Sequence, residues 1–151
     1  MSSTLLLLLQ FTSQNFALFC GALFAGAATY VSLVEHPTMT EGGLKLEGIY
    51  LLTSHPRPVV FQTFFGTVGS LSGILAGLTG GSIWWSAGGA VLAAVTLLQV
   101  FAVMPLSRRI LAIDPQSDIR HAAPLFGKLA RLHAAQCLAG LAALFVFITN
   151  T

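Results

Sequence analysis

The chain has 151 residues, of which 55% are hydrophobic and 8% charged, against about 25% charged in an ordinary soluble domain. So little charge cannot cover a water-facing surface, and a mean hydropathy of +0.82 agrees: the sequence predicts an integral membrane protein of one domain, residues 1–151, too short for a large extramembrane catalytic domain. A net charge of +2 argues against an electrostatic nucleic-acid binder, and two cysteines far apart in apolar runs exclude a disulfide framework or a zinc site. No CxxC, Walker loop or GxGxxG occurs, and Met1-Ser2-Ser3-Thr4 lacks the basic start of a signal peptide.

In chain order, hydropathy marks four spans of the roughly 20 residues that a bilayer needs. The first covers residues 5–34, about 45 Å of helix at 1.5 Å per residue, so it tilts or projects. The second covers residues 59–79. Thr79-Gly80-Gly81-Ser82 then reads as a tight turn that makes a hairpin with the third span, residues 83–106. The fourth covers residues 129–148. Longer loops over 37–57 and 107–127 join the remaining pairs, and residues 44–52 are read as a short interfacial helix. The predicted fold is all-α: a four-transmembrane-helix bundle, up-down-up-down.

With four spans, both termini share one side and both long loops the other. Every Lys, Arg, Asp and Glu, from Glu35 to Arg131, then falls on the loop side. Cytoplasmic loops collect Lys and Arg, which places the long loops in the cytoplasm and both termini on the non-cytoplasmic side of a multi-pass membrane protein. A bacterial inner membrane and the endoplasmic reticulum fit equally. The histidines, His36, His55, His121 and His133, lie on the same side. His55 and His121 read as solvated loop residues, whereas His36 and His133 end the first span and open the fourth.

Membrane helices pack through small residues and turn polar side chains inward. At i, i+3, i+4 spacing the first span offers Gly21, Ala25, Thr29, Ser32 and His36. The second offers Gln62, Gly66, Gly69, Gly73 and Gly77. The third offers Gly88, Leu92, Thr96 or Val95, Gln99 and Val103. The fourth offers Leu129, His133, Gln136 and Gly140. Gln62, Gln99, Gln136, His36 and His133 fall at similar depth, so four helices can converge on one polar pocket in the cytoplasmic half. Glycine stripes also serve packing alone, and a glutamine can simply bond a neighbouring helix. Arg131 lies about 200° around the helix from His133 and is expected to point toward headgroups or a different helix. Cys20 and Cys137 are too far apart to bridge.

Histidine in such a pocket can act as a general base, ligate a metal or haem iron, or donate a hydrogen bond. His36 with His133 would make a two-histidine site. A bundle metal site usually adds carboxylates, and Glu35 is the one close in sequence. Hydrophobic substrates would reach the pocket from the lipid bilayer.

The segment GALFAGAATYVSLVEHP (residues 21–37), Arg57 before the second span, VMPLSRRIL (103–111) and KLARLHAAQ (128–136) occur in an order that resembles the anthrone oxygenase-like family of small four-helix membrane proteins. The similarity runs from Gly21 to Leu144; Leu106-Ser107, Leu129 and Gln136 depart from the family pattern. The resemblance implies oxidation of an anthrone to an anthraquinone with O2, a monooxygenase step of polyketide pathways. In that reading His133 or His36 is the base and Gln62, Gln99 or Arg57 steadies the oxyanion. Gln136 joins the pocket, while Tyr30, Phe61, Phe64 and Phe65 wall an aromatic slot. The substrate supplies the electrons, so O2 suffices and no cofactor is strictly required. Two rivals stand beside it. One is a haem- or metal-dependent membrane oxidoreductase with His36 and His133 as ligands. The other is a non-enzymatic small-molecule binder or transporter. A homo-oligomer is left open.

Overall fold

The computed structural model describes residues 3–35, 56–112 and 119–151, with the side chains of residues 56–57 and 119–122 outside that description. Everything described is helical or a short turn. Helix α1 (Ser3–Tyr30) continues through a π-helical turn at Val31–Glu35. Helix α2 spans Pro56–Leu78. Helix α3 (Ile83–Leu98) runs through a second π-helical turn, Gln99–Val103, into α4 (Met104–Leu111), and α5 spans Ile119–Ile148. Among the described residues, four rods are long and apolar enough to cross a membrane: Ser3–Glu35, Pro58–Leu78, Ile83–Leu111 and Ala123–Ile148. The chain is a four-helix bundle with the make-up of a multi-pass membrane protein.

Local chemistry fixes the boundaries. Pro56 sits at the start of α2, where a missing N–H costs nothing. The turn between α2 and α3 forms where expected. Gly80 takes a φ of +112°, open to glycine at no steric cost. The Gly81 N–H donates to Ala76 O at 3.0 Å, and the Ser82 hydroxyl caps α3 by accepting from the Trp84 N–H at 3.4 Å. The second π turn answers to Pro105, which has no N–H and whose ring crowds the carbonyl four residues back. The Met104 N–H reaches back five residues to Gln99 O, and the widened turn absorbs the proline.

The third and fourth spans are longer than hydropathy suggested. Residues 107–127 were expected to be loop, yet the helix runs on to Leu111 and the next begins at Ile119. Arg108, Arg109, Arg120, Pro124 and Lys128 lower the mean hydropathy, but one face stays apolar. Leu106 and Ile110 pack with Phe126 and Leu129 in a second core under the two extensions, so packing overrides the average. The interfacial helix expected at 44–52 lies outside the described residues.

The main core joins all four rods through Phe24, Ala76, Trp85, Leu92, Ala143 and Phe147. Small residues let them close in. A Cβ on Gly89 would lie 2.8 Å from both Ser70 O and Ile74 N, so the backbones of α2 and α3 nearly touch. Phe24 of α1 lies between Gly66 of α2 and Gly140 of α5, each of which would bring a Cβ to within 3.2 Å of its ring. Neighbouring rods meet in an ordered series. Phe24, Cys20 and Gln10 of α1 face Gly66, Gly69 and the Gly80 turn. Gly66, Gly73 and Gly77 of α2 face Thr96, Gly89 and Ser86. Gly140, Cys137 and His133 of α5 meet Phe24, Thr29 and Ser32.

Candidate functional site

The expected stripes are the inward faces. Gln62 of α2 is 1% exposed, Gln99 0%, Gln136 1% and His133 4%. Thr96 and Val103 on the third rod, and Leu129 on α5, are buried beside them in sequence. Three amides and an imidazole in an apolar bundle are costly to bury without partners, so their contacts carry information.

Three contacts tie the level together. Gln136 Nε2 donates to Gln99 Oε1 across the α5–α3 seam. The Ser32 hydroxyl, inside the first π turn, donates to the His133 carbonyl oxygen at 3.0 Å. Thr29 Oγ1 lies 3.4 Å from Cys137 Sγ. Both π turns thus border the site: one contributes Ser32, the other begins at Gln99. π turns inside α-helices are frequent at functional sites. Neither turn was expected from the sequence, although Pro105 was its available signal for the second.

Four amide atoms at this level have no hydrogen-bond partner among the described residues: Nε2 and Oε1 of Gln62, Nε2 of Gln99 and Oε1 of Gln136. Native interiors leave few such groups. Two are donors and two acceptors, and the three side chains carry no charge.

The remaining expected residues lie elsewhere or outside the description. His36 is outside the described residues, and with it the two-histidine site. Arg57 belongs to the first turn of α2, but its side chain is outside the description. Tyr30 is 54% exposed, Phe61 40% and Phe64 60%, so they stand on the outer face of the bundle and not around the amides. Phe65 is half-buried at the centre of an outward cluster, with ring centroids 4.5 Å from Phe61, 5.1 Å from Phe64 and 6.4 Å from Phe19. The cause is rotation: Phe61 is ~100° around the helix from inward-facing Gln62. Arg131 is exposed, its Nε donating to Gly127 O at 3.3 Å. Cys20 and Cys137 are free and buried.

An open groove of about 450 Å³ is lined by Val60, Thr63, Phe64, Thr67, Val68 and Met104. Among the described residues, no group of three or more His, Cys, Asp or Glu side chains gathers to hold a metal ion. No family model, curated protein or solved structure compared with the chain matches it.

Proposed function

We propose that the protein is a membrane-embedded oxygenase of the anthrone oxygenase type, oxidising a hydrophobic polycyclic aromatic with O2. The observation that carries the reading is the burial at one level of His133, Gln62, Gln99 and Gln136, each at most 4% exposed. A buried histidine on the helix that carries Gln136, in a bundle that also buries unpartnered amide donors, supplies the groups that carbanion chemistry on a lipid-soluble ketone needs.

The bundle in this reading is up-down-up-down. Supporting it, the contact series between neighbouring rods pair rising with falling residue numbers: Phe24 with Gly66 and Gln10 with Gly80, Trp85 with Asn150 and Gln99 with Gln136. The Lys and Arg residues at the ends of the rods next to the long connections then favour those connections in the cytoplasm and the termini outside. Substrate partitions from the bilayer.

The chemistry balances without a reductant. His133 takes a proton from the CH2 between the two aryl rings, and the electron pair delocalises onto the ketone oxygen, where an amide N–H of Gln62 or Gln99 meets it. The carbanion reduces O2 and joins it as a hydroperoxide. Loss of the second C–H proton as the O–O bond breaks gives the new carbonyl and one water. One oxygen atom ends in the quinone and the other in water, and the substrate supplies every electron.

The test is to purify the protein in detergent, record its visible spectrum and metal content, and supply anthrone under O2. Quinone formed at a rate that depends on His133, by a chain without a chromophore, supports the oxygenase. A Soret band or stoichiometric metal transfers support to a haem- or metal-dependent oxidoreductase. Neither turnover nor chromophore leaves a binder or transporter.

A further inference from the structure

The Gln99–Gln136 contact is half of an amide pair. Two primary amides can close a ring through two hydrogen bonds, each donating to the other. Here Gln136 Nε2 donates to Gln99 Oε1, while Gln99 Nε2 and Gln136 Oε1 have no partner among the described residues. The pair is open, and its open half presents one donor and one acceptor. Exchanging the roles of the two amides leaves the same complement, since the other Nε2 and the other Oε1 would then be free. Both side chains are at most 1% exposed, so bulk water does not pair them.

We propose that this open pair reads a hydroxyl that accepts and donates at once, and so binds the enol tautomer of a polycyclic ketone in preference to the keto form. The enol oxygen accepts from Gln99 Nε2 and its O–H donates to Gln136 Oε1. A keto oxygen can only accept: it makes one of the two bonds and leaves Gln136 Oε1 as unpaired as it is without ligand, so the enol gains a hydrogen bond that the keto form forgoes. The step this favours is an isomerisation. The C–H bond breaks and its proton passes to His133, the electron pair moves into the ring system, and the proton carried by His133 is returned to the former ketone oxygen to form the O–H bond; His133 ends neutral, and nothing is oxidised or reduced. Electron-rich enol then accumulates at the site where O2 meets it. Gln99 and Gln136 are thereby the residues that set tautomer specificity. The inference rests on the oxygenase reading for the identity of the ketone, while its own test reads binding alone.

The probe is a stable tricyclic phenol, 9-phenanthrol, beside its methyl ether, 9-methoxyphenanthrene, which accepts but cannot donate, and phenanthrene, which does neither. Binding to the detergent-solubilised full chain is measured without O2 by ligand fluorescence, with protein-free micelles as the blank. The phenol is expected to bind about tenfold or more tightly than either comparator. Gln136→Met is expected to bring phenol and ether to equal affinity. Equal binding of phenol and ether by the unaltered chain overturns the proposal, as does binding of none of the three, and neither result needs a variant that folds. A preference for the phenol that survives in folded Gln136→Met also overturns it. A chain that prefers the phenol yet oxidises no anthrone keeps this inference and loses the oxygenase.

Discussion

The ring of Phe147 occupies the space that Gly88 leaves open: a Cβ on Gly88 would lie 2.6 Å from Phe147 Cε1 and 2.9 Å from Cδ1. The ring cannot yield. It stacks on Trp85 with centroids 5.3 Å apart and planes 17° apart, and Gly21 and Gly73 close on its other edges. Gly88→Ala is therefore expected to destabilise the bundle by about 1–3 kcal/mol, the usual cost of overpacking a filled core. Gly26→Ala is the control. Its Cβ meets nothing within 4 Å, so it should leave stability unchanged or raise it by up to about 1 kcal/mol through helix propensity. Thermal unfolding in one detergent compares the two.

His133 carries the proton step of the proposed reaction. His133→Ala should lower the rate of quinone formation by about 10²-fold or more, the scale of a positioned general base. Arg131→Ala, at an exposed position two residues away, should leave the rate unchanged. Initial rates of anthrone oxidation, measured on variants with the unaltered unfolding temperature, decide it.

The amide pair predicts a sign as well as a size. Gln136→Met strands the Gln99 amide in the interior and should cost about 1–3 kcal/mol. Combining it with Gln99→Met removes both buried polar groups and should recover most of that loss. A double-mutant cycle on unfolding free energy reads the coupling, and an additive double variant would contradict the contact.

The second core should matter although Ile110 and Phe126 lie outside the spans read from hydropathy. Phe126 is 5% exposed and packs with Val103, Leu106, Ile110 and Leu129. Phe126→Ala should cost about 3 kcal/mol by cavity formation. Phe145→Ala, at a position 67% exposed, should cost far less. The same unfolding assay serves.

The inward faces were legible because small and polar residues in an apolar chain have few reasons to be there: Gln62, Gln99, His133 and Gln136 recur at helical spacing, and all four are buried. The aromatics were not legible. In a bilayer a phenylalanine is at home on either face, so composition could not distinguish Phe24, fully buried, from Phe64, 60% exposed. Hydropathy also averages over faces, which hid the extensions beyond the third and fourth spans. Leu106 with Ile110, and Phe126 with Leu129, keep an i, i+3, i+4 pattern beneath Arg108, Arg109 and Lys128. Open amide atoms have no sequence signature, because whether a glutamine closes a pair depends on its neighbour's rotamer.

The turn at Gln99–Val103 holds one residue more than an α-helical turn would, so the rod carries its slack at one place. Deleting a single residue from the regular helix before it would not so much shorten the rod as twist it, swinging the segment from Met104 onward by about 100° and taking Leu106 and Ile110 away from Phe126. The same deletion inside the wide turn removes the surplus and leaves the later azimuth nearly as it is. Single-residue deletions within Ile83–Leu98 should therefore be far less tolerated than one within Gln99–Val103.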